Sequence, residues 1–468
     1  MKTGRNLIQT GLLCLLMLQA FTGGAQPVTQ IAGGWGYGLF LKSDGSLWAM
    51  GRNVFGQLGD GTYNTNALYG TNQPEQIVAS NVTAVATGAG HSLFLKSDGS
   101  LWAMGWNEYG QLGDGTYYNT NRPEQIVASN VIAIAAGGEQ SLFLKSDGSL
   151  WAMGDNSLGQ LGDGTSGLNN NTNRPEQIVA SNVTAIASGR FHSLFVKSDG
   201  SLWAMGWNGI GQLGDGTYGA YPLYGTNQPE QIVASNVIAI AAGDEHSLFL
   251  KSGGSLWAMG DNSHGQLGNG TYGVQPYFAS NQPEQIVASN VNTIAAGDEH
   301  SLFRKNDGSL WVMGNNEYGE LGDGTYGAYP MYGANQPEQI VANNTAAVAG
   351  GIGFSLFLKS DGSLWGMGDN FYGQLCDGTY NDFTNRPEQI LGPYNQIQTT
   401  GQLLGGTNLQ LSFVGVANTN YALDRSSSLS PANWVPQATN PAGSFGALVF
   451  TNPPDTTTNN FWRIRSVP

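Results

Sequence analysis

The stretch at residues 88–116, GAGHSLFLKSDGSLWAMGWNEYGQLGDGT, occurs seven times in close variants. Its SDGSLW core sets a tryptophan at Trp48, Trp102, Trp151, Trp203, Trp257, Trp311 and Trp365, at spacings of 54, 49, 52, 54, 54 and 54 residues. Between about residues 28 and 390 the chain consists of copies of this unit. The repeat therefore decides the fold before any local motif does.

In the second copy, Val82, Val85 and Ala86 open a short strand, and HSLFLK at 91–96 alternates and reads as the next. SDGS at 97–100 is a hairpin turn, in which Asp98 and Gly99 are both expected at positive φ. The fifth copy has Gly253-Gly254 there, which the same turn accepts. LWAM at 101–104 is the return strand, and GQLGDGT at 110–116 is a second turn-rich element. PEQIV at 123–127 reads as a fourth strand, with proline at its start, where a missing N–H does least harm. Four short strands repeated seven times predict an all-β chain, a seven-bladed β-propeller followed by a small C-terminal β-domain. Leu93, Phe94, Leu101 and Trp102 are expected to pack between blades. An open solenoid is the rival, but solenoids end in distinct capping repeats. The first and last copies here keep the same apolar pattern, so a closed ring is expected.

The unit resembles the RCC1-type repeat in Gly88-Ala89-Gly90-His91-Ser92, Asp98-Gly99, Trp102, Gly105, Asn107, Gly110-Gln111-Leu112-Gly113 and Gly115. The resemblance covers about three quarters of the chain and implies a seven-bladed propeller. It says little about activity, because a common fold carries unrelated functions. The family includes nuclear nucleotide-exchange factors for a small GTPase that also contact chromatin. It is similar, too, to secreted bacterial propellers that inhibit β-lactamases by direct protein binding, which suits the charge and the N-terminus of this chain better.

The formal net charge is −15, with 33 acidic against 18 basic residues and no Lys/Arg cluster in the repeats. Nucleic-acid binding needs a basic footprint, so no DNA or RNA partner is expected. Lys2, Arg5, the apolar run at 12–20 and Gly23-Gly24-Ala25 read as an export signal over residues 1–25, cut ahead of Gln26. The run is short for a membrane span, so no transmembrane segment is expected in the mature chain. Cys14 would leave with the signal, and Cys376, at the position of Gly59 and Gly113, would remain without a disulfide partner. The seven repeats are expected over 26–391, a connector over 392–407 and a β-module over 408–468. In the last, Leu409, Leu411 and Phe413 alternate, as do Tyr421 and Leu423.

His91, His192, His246 and His300 share one repeat position, replaced elsewhere by Tyr37, Gln140 and Phe354. A metal ring needs converging ligands, which different blades of a wide ring do not supply, so a structural role is expected. The aspartates of the GDGT and DGS elements recur once per blade and read as turn residues. Neither a catalytic motif nor a cofactor-binding motif is present. Two non-repeated acidic residues converging in a central pocket would be the sign of an enzyme.

Where the copies differ is more informative. The pair before the histidine position varies and includes Trp35-Gly36, Gly138-Glu139, Arg190-Phe191, Asp244-Glu245 and Asp298-Glu299. The pair after the fixed asparagine varies as well, as in Glu108-Tyr109 and Glu317-Tyr318. The loop before each PEQI strand is rich in aromatics, among them Tyr69, Tyr118, Tyr221, Tyr224, Tyr277, Tyr329 and Tyr332. Loops on a rigid scaffold commonly carry binding groups, and tyrosine offers contact area with a hydroxyl; the alternative is that these rings pack their own loops onto the rim. These loop tyrosines, with Arg190, Phe191, Asp244, Glu245, Asp298 and Glu299, are the candidate partner-binding residues. The expected function is an exported, non-catalytic scaffold binding an extracellular protein. A carbohydrate partner is the second reading, and a polysaccharide-degrading enzyme the third.

Overall fold

The computed structural model describes residues 26–64, 70–219, 224–273, 279–328, 333–380 and 382–392, and the strands between 400 and 467. The expected export signal lies outside the described residues, as do Tyr69, Tyr221, Tyr277, Tyr329 and Tyr332.

The first blade is an antiparallel sheet of β1 (Val28–Gly33), β2 (Tyr37–Lys42), β3 (Leu47–Gly51) and β4 (Thr71–Val78), in that order. Six further units repeat it, giving seven blades between Pro27 and Leu391. The innermost strands touch their neighbours all the way round, and that of the seventh blade, Thr345–Gly350, touches β1. The ring closes without exchanging a strand, since each blade takes its four strands consecutively. The seam is stitched by the Ile352 amide donating to Gly34 O at 3.2 Å and Asn72 Nδ2 donating to Gly378 O at 2.8 Å.

Alternation along each strand sends side chains to both neighbouring blades. Leu93, Leu95, Leu101 and Ala103 of the second blade pack on Phe143 and Met153 of the third. Phe94, Met104 and Trp102 pack the other way, on Leu39, Leu41 and Leu47 of the first. The expected inter-blade role of Leu93, Phe94, Leu101 and Trp102 is what the ring uses. Each fully buried leucine or phenylalanine contributes about 1.5–3 kcal/mol.

Two local expectations are corrected. Only Gly99 has positive φ (75°) in the DGS turn, while Asp98 does not. Asp98 instead accepts the Ser100 amide at 2.9 Å and the Ser100 hydroxyl at 2.6 Å, which fits a turn closed by one left-handed glycine rather than two. The outermost strand of the second blade begins at Thr120, three residues before Pro123. The register jumps from Ala103–Glu124 to Gly105–Thr120, so the proline sits beside a bulge on an edge strand, where no ladder bond is lost.

The histidines are inter-blade clasps. His91, His192, His246 and His300 are fully buried, and each Nε2 lies 2.9 Å from the hydroxyl of Ser141, Ser247, Ser301 or Ser355 in the next blade. Those hydroxyls spend their proton on backbone carbonyls, as Ser141 Oγ does on Gln111 O at 2.8 Å. The ring nitrogen therefore donates, which fixes the Nε2–H tautomer in His91, His192 and His246, while Nδ1 of His300 also faces Asp298 Oδ1 at 3.6 Å. Burial pushes His91 and His246 down to about 3 and His192 to about 4, keeping them neutral. The first blade has Gly38 at the serine position, and the seventh correspondingly has Phe354 at the histidine position. Cys376 replaces a glycine at φ 51° and is buried in one cluster with Met50, at the seam.

In the C-terminal segment, Asn408–Val414 pairs with Thr400–Leu404 and Ala447–Asn452. Asn420–Ser426 pairs with Val435–Pro441 and Phe461–Val467. Thr400–Leu404 is thus a strand within the span expected to be connector.

Candidate functional site at the mouth of the ring

The second strand of every blade starts at one end of the ring, so the variable pair before it lies on that face. One glycine per blade forms a collar beneath it, and only glycine fits. A Cβ on Gly137 would meet Gly189 O at 2.4 Å and Gln140 Nε2 at 2.6 Å. Above the collar opens an axial cavity of about 470 Å³, to which all seven blades contribute.

Its wall is mixed in chemistry. Trp35 of blade 1, Trp106 of blade 2 and Tyr318 of blade 6 supply aromatics. Arg52 stacks over Trp35 at 4.2 Å, Tyr372 at 5.3 Å and Phe55 at 5.5 Å. Phe55 stacks on Trp106 at 5.0 Å, and Tyr109 meets the edge of Trp106 at 5.4 Å. Blades 3, 5 and 6 supply the carboxylates Glu139, Asp244, Asp298, Glu299 and Glu317. Asp244 and Asp298 are backbone neighbours across the blade junction, with Asp244 N donating to Asp298 O at 3.2 Å. Arg190 of blade 4 reaches Asp244 Oδ2 at 3.3 Å and lies 4.9 Å over Phe191.

Burial, reinforced by neighbouring carboxylates, pushes Glu139, Asp244 and Glu245 up to about 7, with Arg190 pulling each back only in part. Asp298 goes the other way. Burial raises it, but contact with His300 and the amides of Glu299 and Gly353 holds it below the ordinary carboxylate range.

Of the candidate residues, Arg190, Asp244, Asp298 and Glu299 line this cavity. Glu245 and Phe191 sit beside it, with Phe191 edge-on to Trp207 at 6.1 Å. Tyr118 is 80% exposed and Tyr224 43% exposed on the outer loops. The tyrosine that follows GDGT in the same loops does something else. Tyr63, Tyr218, Tyr272, Tyr326 and Tyr380 each donate their hydroxyl to a carbonyl of the next blade, the last to Gly70 O at 2.9 Å across the seam. These rings pack the rim, as the structural alternative for the loop aromatics expected.

Trp35, Glu139, Glu317 and Tyr318 also line the cavity, at positions already marked as variable. Trp106 and Asn315 were missed. They occupy the single position between the fixed glycine and asparagine of the MG-x-N segment, where Arg52, Trp106, Asp155, Trp207, Asp261, Asn315 and Asp369 all differ in character from the invariant frame. That divergence was the available signal. Another exception is Glu320, where the other six blades have glutamine. It is fully buried, its Oε2 accepts the Tyr318 amide at 2.8 Å, and its Oε1 has no hydrogen-bond partner. Burial pushes it up to about 8.

Known proteins match this architecture. The RCC1-like domain description covers residues 129–413, and the RCC1 repeat description covers 44–95 and 98–144. The Ultraviolet-B receptor UVR8 of Arabidopsis thaliana is 29% identical over 64% of this chain and 55% of its own length. The Protein RCC2 homolog of Xenopus laevis is 30% identical over 43% of each. The chain thus spans about half the length of these relatives. Prp20p of Saccharomyces cerevisiae, whose structure was described with its binding to Gsp1p and histones, superposes with a TM-score of 0.66 at 23% identity, over 76% of this chain and 88% of that one.

Proposed function

Because the chain belongs to the RCC1-like family of seven-bladed propellers, we propose that it is a non-catalytic scaffold that binds a protein through the mouth of the ring. The observation that carries this reading is the localisation of sequence divergence. The frame repeats in every blade, while the pair before the histidine position, which differs around the ring, lines one cavity in all seven and brings aromatic and acidic groups to it. Cavities with mixed apolar walls and a few placed polar groups are the usual recognition sites, and aromatics and arginine dominate protein interfaces. Binding of proteins by Prp20p supports the choice of partner class. The export read from residues 1–25 makes that partner extracellular, and a mature protein starting at Gln26 would bear this out.

The test is affinity capture by the full chain against two variants. Trp35→Ala with Tyr318→Ala at the mouth is expected to lose the partner, and Lys96→Met on the opposite face to keep it. A partner kept by the mouth variant and lost with the opposite face overturns the reading; a glycan captured instead replaces it.

A second reading rests on the convergence of Asp244 and Asp298, whose environments shift them in opposite directions as an acid–base pair requires. Against it, Asp298 Oδ1 accepts the Gly353 amide at 3.2 Å and faces His300, and Asp244 is tied to Arg190. Polysaccharide cleavage abolished by Asp298→Asn would establish it; no cleavage across a panel of glycans would dismiss it.

A further inference from the structure

The walls of the mouth are unequal in charge. Glu139, Asp244, Asp298 and Glu299 face the cavity with Arg190 as the cation among its lining residues. Arg52 is turned into the stack of Trp35, Phe55 and Tyr372. The other groups that meet the carboxylates are Asn315 Nδ2, 2.8 Å from Glu299, and the imidazoles of His264 and His300, 3.5 Å from Glu299 and 3.6 Å from Asp298, so the carboxylates are only partly compensated. Partly buried carboxylates with so little counter-charge are costly, and that cost shows in Glu139 and Asp244, which burial pushes up to about 7.

Arg190 shows what the acidic arc accepts. Its guanidinium is held by one long contact, 3.3 Å to Asp244, and its side chain is 52% exposed. A single, solvated ion pair of that kind is weak. It also lies over an aromatic face, an arrangement that suits a planar guanidinium better than an ammonium. The opposite wall offers a further opening, because Trp106, which lines the cavity, has its indole N–H buried with no acceptor. A carbonyl of an incoming chain would satisfy it on a turn of the indole that brings the N–H to the cavity.

We infer that the mouth receives an arginine side chain of the protein partner, and that Arg190 is the internal occupant which that side chain displaces. The inference rests on the protein-binding reading above and names the group that is recognised. The guanidinium lies against Asp244 and Glu299, and the backbone beside it reaches the Trp106 wall. It also sets a sign that a merely structural Arg190 would not produce: removing Arg190 removes a competitor and strengthens binding.

The experiment uses the full chain and two fluorescein-labelled peptides, Gly-Gly-Arg-Gly-Gly amide and the same peptide with neutral, isosteric citrulline, read by fluorescence anisotropy at low salt. Wild type is expected to bind the arginine peptide at least about tenfold more tightly than the citrulline peptide. Arg190→Ala is expected to tighten the arginine peptide about threefold or more, and Glu299→Gln to weaken it about tenfold, with thermal melts confirming that both variants are folded. Equal binding of the two peptides, including none of either, overturns the inference, and so does weaker binding by folded Arg190→Ala. The peptide comparison on wild type needs no variant to fold. If the peptides do not differ but affinity capture still yields a partner lost with Trp35→Ala and Tyr318→Ala, the protein-binding reading survives alone. If the peptides differ and no partner is captured, the arginine pocket survives alone.

Discussion

The two ends of the ring are built on opposite plans. At the end carrying the DGS turns, every blade presents the same assembly. A lysine lies 3.6–4.1 Å over the tryptophan ring, whose indole N–H donates to the serine two residues before it. That tryptophan stacks on the phenylalanine of the neighbouring strand at 6.0–6.1 Å. At the mouth, no two blades present the same set around the axis. Seven equivalent junctions have one good packing solution, so the repeated end is what closing the ring demands. The mouth is released from that demand above its glycine collar, and there the blades differ.

The comparison can be broken most sharply at a tryptophan. Trp102→Ala removes the stack on Phe94, the seat of Lys96 and contact with the first-blade cluster. A loss of about 3–5 kcal/mol is expected in denaturant unfolding, with partner binding by the folded fraction unchanged. A loss below about 1 kcal/mol would show that the repeated end is not where the ring is held.

Glu320 sharpens the comparison from the other side, as a departure from the frame that costs stability. Its folded carboxyl is pushed up to about 8, while the unfolded chain titrates near 4.3. Between those values the folded state holds a proton that the unfolded state has released, so this group's contribution falls as pH rises through the window. Glu320→Gln, the residue of the other six blades, is expected to be more stable than wild type by on the order of 3 kcal/mol at pH 7, with the advantage gone below about pH 4. Urea midpoints across that range check it; an advantage independent of pH would mean that the carboxyl is not the cause.

The smallest effect belongs to the lysines. Lys96→Met keeps the apolar stem on Trp102 and removes the charge, so about 0.5–1 kcal/mol is expected in thermal unfolding. A loss as large as that of Trp102→Ala would assign the lysine a role beyond stacking.

Much of this was legible in the residues. The spacing of the seven tryptophans sets the blade count, and alternation in HSLFLK sets which side chains pack between blades. The exchange of His91 for Tyr37, Gln140 and Phe354 already marked that position as structural. The loop aromatics divided in a way the sequence did not announce. Tyr63 and Tyr326, directly after GDGT, reach the next blade's backbone, whereas Tyr117 at the same position and Tyr118 beside it stay exposed. Trp106 and Asn315 escaped notice because a single variable residue between glycine and asparagine carries no motif.

What the sequence alone determined is the ring: repeat period, apolar alternation and turn glycines act over a few residues and return seven times, so the same local physics is read seven times over. What only the tertiary structure decided is the character of the mouth. Arg190 and Asp244 are 54 residues apart, and meet because consecutive blades place equivalent positions side by side. Arg52 carries the same charge as Arg190, but it stacks on Trp35 from its own blade and Tyr372 from across the seam. Charge is written in the residue; whether that charge is spent on an aromatic stack or left facing a cavity depends on which blade stands beside it.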